Sequence, residues 1–301
     1  MDLNGLHILL TYTCNYECDH CFVWGSPWQT GTFTLAQLDD VFRQAKEVGS
    51  VREIYFEGGE AFLYYPILVE AISRAKQHGF WTGIVSNGYW ATSTEDAWTW
   101  LKPLVTAGLD FLDVSCDTFH GEENVAPDIH PALAAAAELS LETSTIAIDP
   151  PVAVRDPNAA EPGMPVTGGG VMFRGRAIEK LLGDLPRQPW TVFDSCPYEN
   201  LVDPGRVHLD PLGNLHICQG IVIGNLFEKP LIRILEEYQP RRHAIVGPLL
   251  DGGPAQLVTQ YALEHEPGYV DACHICYQAR EGLRSKFPAE LAPDQMYGLA
   301  A

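Results

Sequence analysis

Thr11-Tyr12-Thr13-Cys14-Asn15-Tyr16-Glu17-Cys18-Asp19-His20-Cys21-Phe22 is the stretch from which the rest of the chain is read. It follows the apolar run Leu6-His7-Ile8-Leu9-Leu10, which has strand length, so its three thiols sit on a loop at a strand end. Three thiolates packed into eight residues hold a soft metal centre but cannot fill four ligand positions. The open position is where a small molecule binds and reacts, as in catalytic rather than structural zinc sites. Spacing alone does not identify the metal, and a zinc loop completed by His20 or a distant ligand uses the same thiols.

Outward from this loop the pattern alternates between strand and helix. Strands are predicted at Leu6–Leu10, Glu53–Glu57, Trp81–Ser86, Phe111–Ser115 and Ser144–Ile148, with helices starting at Thr34 and over Pro66–Gln77, Thr94–Ala107 and His130–Leu141. Thr34 is a natural N-cap and Gly49 a stop for the first helix. Residues 149–170 carry five prolines and three consecutive glycines, so no ordinary helix fits there. A sixth strand is predicted at Val171–Arg174, followed by a short helix over Arg176–Leu182. Repeated strand-helix units imply parallel strands covered by helices. From Leu185 the character changes to a hairpin, Arg206–Asp210 with Leu215–Cys218, then helices at Pro230–Tyr238, Pro254–His265 and Tyr277–Phe287. The expected units are therefore 1–184, a smaller α+β domain over 185–287, and an extended arm over 288–301.

A hydrophobic fraction of 46% over 301 residues suffices for a full core, and no apolar stretch has the length of a membrane span. The start lacks the build of a signal peptide, and clustered cysteines in such a chain bind metal rather than form disulfides, so a cytoplasmic location is expected. A net charge of −20 repels phosphate backbones and anionic lipid, which argues against nucleic acid and membrane partners.

The C-x3-C-x2-C loop after a first strand resembles the signature of the radical S-adenosylmethionine (SAM) superfamily. The resemblance implies a partial (β/α)6 barrel, matching the six predicted strands. It implies a 4Fe-4S cluster on Cys14, Cys18 and Cys21, whose vacant iron binds SAM, with His20 in the place of the aromatic beside the adenine. Ligands of parallel α/β barrels gather at the carboxyl ends of strands. There, Gly58-Gly59-Glu60 resembles the motif holding the methionine end of SAM, with Glu60 near its ammonium group. Ser86, Asn87, Ser115 and Asp117 resemble groups that bond its ribose or carboxylate; helix capping and turn formation explain the same residue types. His120 is a candidate acid, base or ligand, or a capping residue. Arg174 and Arg176 are candidates to grip a carboxylate or phosphate of SAM or substrate, Arg176 otherwise being exposed in a first helical turn. Strand alternation turns Cys116 away from Ser115 and Asp117, as a buried core thiol.

Cys196, Cys218, Cys273 and Cys276 supply the full complement for a second cluster, and their order resembles the twitch domain, a shortened relative of SPASM domains. Structural zinc uses the same four thiolates. Two 4Fe-4S clusters and SAM imply an enzyme that makes a 5'-deoxyadenosyl radical, abstracts a substrate hydrogen and passes an electron to the auxiliary cluster. With no peptide-recognition domain ahead of residue 1, a small-molecule substrate is expected over a ribosomal peptide. A non-enzymatic zinc or redox-sensing protein is the alternative class. Arg241, Arg242, Arg280 and Arg284 are expected to form a basic patch for an acidic electron donor such as flavodoxin or ferredoxin, or else a solvated helix face.

Overall fold

The computed structural model describes residues 1–121, 125–153, 166–167 and 170–299. Its first half alternates as the sequence predicts: β1 (Gly5–Thr11), α1 (Leu35–Val48), β2 (Glu53–Gly58), α2 (Tyr65–Gln77), β3 (Trp81–Ser86), α3 (Thr94–Ala107), β4 (Phe111–Ser115), α4 (His130–Glu138) and β5 (Glu142–Ile146). The start of α1 shows why. Thr34 accepts from the Gln37 N–H while the Gln37 side chain accepts from the Thr34 N–H, and Gly49 ends the helix at φ 80°. β1 to β5 are parallel and hydrogen-bonded in sequence order. Leu6, Ile8 and Leu10 of β1, with Ile54, Phe56, Ile84, Leu112 and Val114, bury one face of this sheet under the helices.

The sixth parallel strand is not where it was predicted. Val171–Arg174 carries no strand, and most of the proline- and glycine-rich segment before it lies outside the described residues. Of that segment a two-residue pair, β6 (Val152–Ala153) and β7 (Val166–Thr167), is antiparallel, and one helical turn, α5 (Ala177–Lys180), follows. A further short pair joins β8 (Gln188–Pro189) to a segment near residue 268. The sixth parallel partner is instead β9 (Arg206–Leu209), which adds to β1 on the opposite edge. β10 (Asn214–Cys218) and β11 (Ile221–Asn225) continue antiparallel, giving the order β11-β10-β9-β1-β2-β3-β4-β5. The hairpin assigned to a separate second domain thus extends the first sheet.

α6 (Leu231–Glu237) packs beside α1, while α7 (Val246–Tyr261), broken at Gly252 and Gly253, and α8 (Ala272–Leu283) cover a second core. Gly268–Tyr269, paired with β8, is β12. The last segment is not an extended arm. Leu291, Gln295, Met296 and Tyr297 are buried, and Gln295 donates to the Val23 carbonyl at 2.9 Å, returning the chain to the cysteine loop. Among the described residues no helix is long and apolar enough to cross a membrane.

Two contacts set the height of the cysteine loop. Gly59 N–H donates to the Thr11 carbonyl at 2.7 Å and Glu60 N–H to the Thr13 carbonyl at 2.9 Å. The approach is so close that a Cβ on Gly59 would lie 2.1 Å from the Thr13 oxygen. From the other edge, fully buried Asp210 accepts from the Tyr12 hydroxyl at 2.9 Å, from Asn214 Nδ2 at 2.9 Å and from His216 Nε2 at 3.1 Å. Burial opposes ionisation of Asp210, but the His216 bond and the other donors outweigh it and hold its carboxyl below the ordinary value.

Asp210→Ala leaves these buried donors unpaired and should cost about 3–5 kcal/mol in urea unfolding. Because the folded-state carboxyl is the more acidic, its contribution is present above the ordinary value of about 4 and is lost as pH falls below it. Wild-type stability should therefore drop more steeply than that of Asp210→Ala on acidification below about pH 4. Parallel curves would show that Asp210 carries no such coupling.

Candidate active site

Cys14, Cys18 and Cys21 stand at the carboxyl end of β1 and line one cleft of about 210 Å³. Gly58 and Gly59 after β2, Ser86 and Asn87 after β3, and Ser115, Asp117 and His120 after β4 line the same cleft, together with His20. With Ile146 and Ile148 at the end of β5, five strand ends thus converge, as parallel topology requires.

Main-chain donors are turned on the sulfurs. Tyr16 N–H lies 3.4 Å from Cys14 Sγ and Gly25 N–H 3.2 Å from Cys21 Sγ, and Asn87 Nδ2 stands 3.8 Å from Cys14 Sγ. Such donors stabilise thiolate over thiol, whereas burial pushes the Cys14 thiol up to about 12 and raises the Cys18 thiol as well. The loop is thereby shaped for sulfurs that give up their protons to a metal centre. Arg176 locks it from outside. Far from being exposed, this residue is 6% accessible, and it donates to the Cys18 carbonyl at 2.9 Å and the Gly25 carbonyl at 2.8 Å while stacking on Trp24.

Glu60 differs from expectation. It is 1% exposed and does not line the cleft. Its carboxylate accepts from Phe62 N–H at 3.0 Å, Ser86 Oγ at 2.9 Å and Asn87 N–H at 2.8 Å, so it braces the wall from behind instead of meeting an ammonium group. Burial pushes its carboxyl up to about 6 in spite of these donors. The Gly58-Gly59 backbone is what faces the cleft.

On the facing wall His120 Nδ1 lies 2.7 Å from Asp117 Oδ1, and the His20 ring packs on Phe119 and His120 at 4.7 and 5.2 Å. Burial, with His120 beside it, lowers His20 to about 4, so its imidazole is neutral. For Asp117, burial is outweighed by the His120 bond, and the carboxyl stays below its usual value. Cys116 is partly exposed, not a buried core thiol. Glu57 also lines the cleft and was missed; its alternation with Tyr55 on β2 was the available signal.

Arg174 is displaced from its predicted place. It lines a second pocket with Cys196, Cys218, Cys273, Cys276 and Arg280, its Nη1 3.2 Å from Cys218 Sγ. The four arginines predicted to share a basic patch are not alike: Arg241 and Arg242 are exposed, and Arg280 is buried. Arg280 is 1% exposed, donating to the Gln219 carbonyl and stacking on Tyr277 and Tyr297, while Arg284 pairs with Asp294 and Arg241 with Asp251. Arg174 has a single carboxylate in range, Glu199 at 3.7 Å, and among the described residues Arg280 has none. Both guanidiniums are buried beside these four sulfurs with little carboxylate to match them, a costly arrangement for a cation. Burial meanwhile raises the thiols of Cys196, Cys273 and Cys276.

Residues 8–142 match the model of the radical SAM superfamily. YydG of Bacillus subtilis (strain 168), provisionally named a peptide biosynthesis protein, is 27% identical over 113 residues, 38% of this chain and 35% of its own length. An S-adenosylmethionine-dependent nucleotide dehydratase of Pseudoalteromonas ulvae is 30% identical over 128 residues, 36% of this chain and 38% of its own. Each match thus spans little more than a third of the relative. The crystal structure of BtrN in complex with AdoMet and 2-DOIA superposes with a TM-score of 0.52 at 16% identity, over 78% of this chain and 83% of that one, which establishes the α/β partial-barrel fold. The cysteine loop at the end of β1 lies within residues 8–142, the part of the chain that matches the radical SAM superfamily.

Proposed function

We propose that the chain is a radical SAM oxidoreductase acting on a small molecule, with a second iron-sulfur cluster in its C-terminal part. The observation that carries the reading is the convergence of Cys14, Cys18 and Cys21 with the Gly58-Gly59 backbone, Ser86, Asn87 and the Asp117–His120 pair on one cleft. When bound, the cluster supplies the electron that cleaves SAM to methionine and a 5'-deoxyadenosyl radical, which takes a hydrogen atom from substrate.

The protein orients and shields. Three cysteines hold the centre at the cleft floor, and Tyr16 and Gly25 N–H groups stabilise its sulfurs. Gly58 and Gly59 leave main-chain polar groups open to the methionine end of SAM, and Ser86, Asn87 and Ser115 offer hydrogen bonds to its polar groups. His20, backed by Phe119, presents its ring to the adenine side. Asp117 holds His120 in position to accept or return a proton at the cleft mouth. Cys196, Cys218, Cys273 and Cys276 would hold the second centre, whose chemistry would be electron transfer, and Arg174 and Arg280 stand beside these sulfurs where they would balance negative charge.

The inner face of the sheet beneath the cleft favours a small, hydrogen-bonding substrate. Tyr55, Asp113 and Ser144 meet there, Ser144 donating to Asp113. The similarity to YydG supports a second reading, a peptide as substrate. An electron donor such as flavodoxin or ferredoxin is part of the proposal, without the arginine patch first assigned to it.

Anaerobically purified protein should contain about eight irons and eight sulfides per chain, as two four-iron clusters require. Cys14→Ala should abolish 5'-deoxyadenosine formation from SAM. Cys218→Ser should lower iron to about four per chain while 5'-deoxyadenosine still forms. Colourless wild-type protein with stoichiometric zinc would overturn the reading.

Glu60→Ala unpairs three donors and releases Ser86 and Asn87, so the Kd for SAM should rise about tenfold or more, the equivalent of one to two lost charge-assisted hydrogen bonds. An unchanged Kd by equilibrium dialysis would remove Glu60 from any positioning role.

A further inference from the structure

β9, β1 and β2 are neighbours in the sheet, and on the face away from the helices they carry His208, His7 and Glu57. His7 stands directly opposite His208 in register, and Glu57 opposite Leu9, one alternation further along. Parallel pairing therefore brings three residues far apart in the chain to one patch, using backbone hydrogen bonds alone. All three are mostly withdrawn from solvent, His208 at 6% exposure.

The carboxylate oxygen Oε1 of Glu57 lies 3.0 Å from His208 Nε2 and 3.5 Å from His7 Nδ1. One donor atom from each residue falls within 4.8 Å of the others. Charge-assisted hydrogen bonds are the first explanation for such a group, and they require an imidazole N–H aimed along the line to the oxygen. That aim is imperfect, since Oε1 is fully buried and among the described residues no well-aligned donor meets it, though both imidazoles lie within reach. The nitrogens approach the oxygen without pointing at it, as donor atoms do when they converge on a point between them. The 3.5 Å separation matches the edge of a coordination tetrahedron whose metal-ligand bonds are about 2.0–2.2 Å, and the 3.0 Å one is shorter than that edge, so His208 would draw back slightly as the cation enters. His7 is also held rigidly, stacked on Tyr55 at 4.8 Å and edge-on to His208 at 5.3 Å.

We propose that His7, Glu57 and His208 form a binding site for a divalent cation of the zinc class, separate from the seven clustered cysteines. Two imidazoles and one carboxylate make a nitrogen- and oxygen-rich donor set that prefers Zn²⁺ over the softer centres held by thiolates. Three protein ligands leave a position for water or a substrate oxygen. Glu57 also lines the cleft of Cys14, Cys18 and Cys21, so the cation stands at the wall of the same chamber. The site's occupancy is independent of SAM cleavage, and either can fail without the other.

The test uses cluster-reconstituted full-length protein, given one equivalent of ZnCl2 anaerobically and dialysed. Zinc and iron are then counted by mass spectrometry and the zinc environment read by X-ray absorption at the zinc edge. Wild type should retain about one zinc with a nitrogen- and oxygen-only shell. Glu57→Gln, which keeps the packing, and His7→Ala and His208→Ala should retain about tenfold less or lower still, with iron content unchanged as the report of an intact fold. Zinc retention in wild type no greater than in these variants, or sulfur in the zinc shell, overturns the proposal.

Discussion

The site depends on the close packing of Gly58 and Gly59 against the backbone of Thr11, Tyr12 and Thr13. At that contact the ends of β1 and β2 exchange hydrogen bonds directly, Gly59 to Thr11 and Glu60 to Thr13, with no space for a side chain between them. A single geometric constraint thus sets both where the cysteine loop leaves the sheet and where Glu60 turns inward. Once inward, the carboxylate gathers Ser86 and the Asn87 N–H, so the ends of the first three strands are tied in sequence. The cleft is the shape left over when those ends are held at one height.

The other edge of the sheet is pinned by charge. Asp210, between β9 and β10, reaches back to Tyr12 beside the cysteine loop and to His216 within the hairpin. The C-terminal segment closes the arrangement, with Arg176 on the loop carbonyls and Gln295 on Val23. Buried arginines recur where sulfur gathers, Arg174 and Arg280 beside four thiols and Arg176 beside three. Buried cations are costly to hold, and each of these stands beside a group of cysteines.

Local chemistry made much of this visible in advance. The boundaries of β3, β4 and α3 follow from alternation and caps: Ser93 accepts from the Asp96 N–H to start α3, and Gly108 ends it. The cysteines, the glycine pair and the Ser86, Asn87, Ser115 and Asp117 set are recognisable because strand ends in a parallel fold meet on one side. The failures all involve partners distant in the chain. Val171–Arg174 has strand composition, but it forms no strand, and the sixth parallel strand is β9, beside β1 on the opposite edge from β5. Arg174 and Arg280 have the residue type of surface cations, yet packing buries both beside sulfur. Glu60 accepts from Ser86 and the Asn87 N–H across the strand ends, bonds that nothing in its own stretch of sequence announces.

The chain by itself determined the alternating elements, the two groups of thiols and the class of chemistry they allow, since periodicity, capping and ligand spacing act within a few residues. Only the tertiary structure decided that the C-terminal hairpin continues the first sheet, that Arg176 clamps the cysteine loop, and that His7, Glu57 and His208 share one patch. Strand register and burial are collective properties of neighbours some 150 to 200 residues apart, and composition near any one of them carries no record of the others.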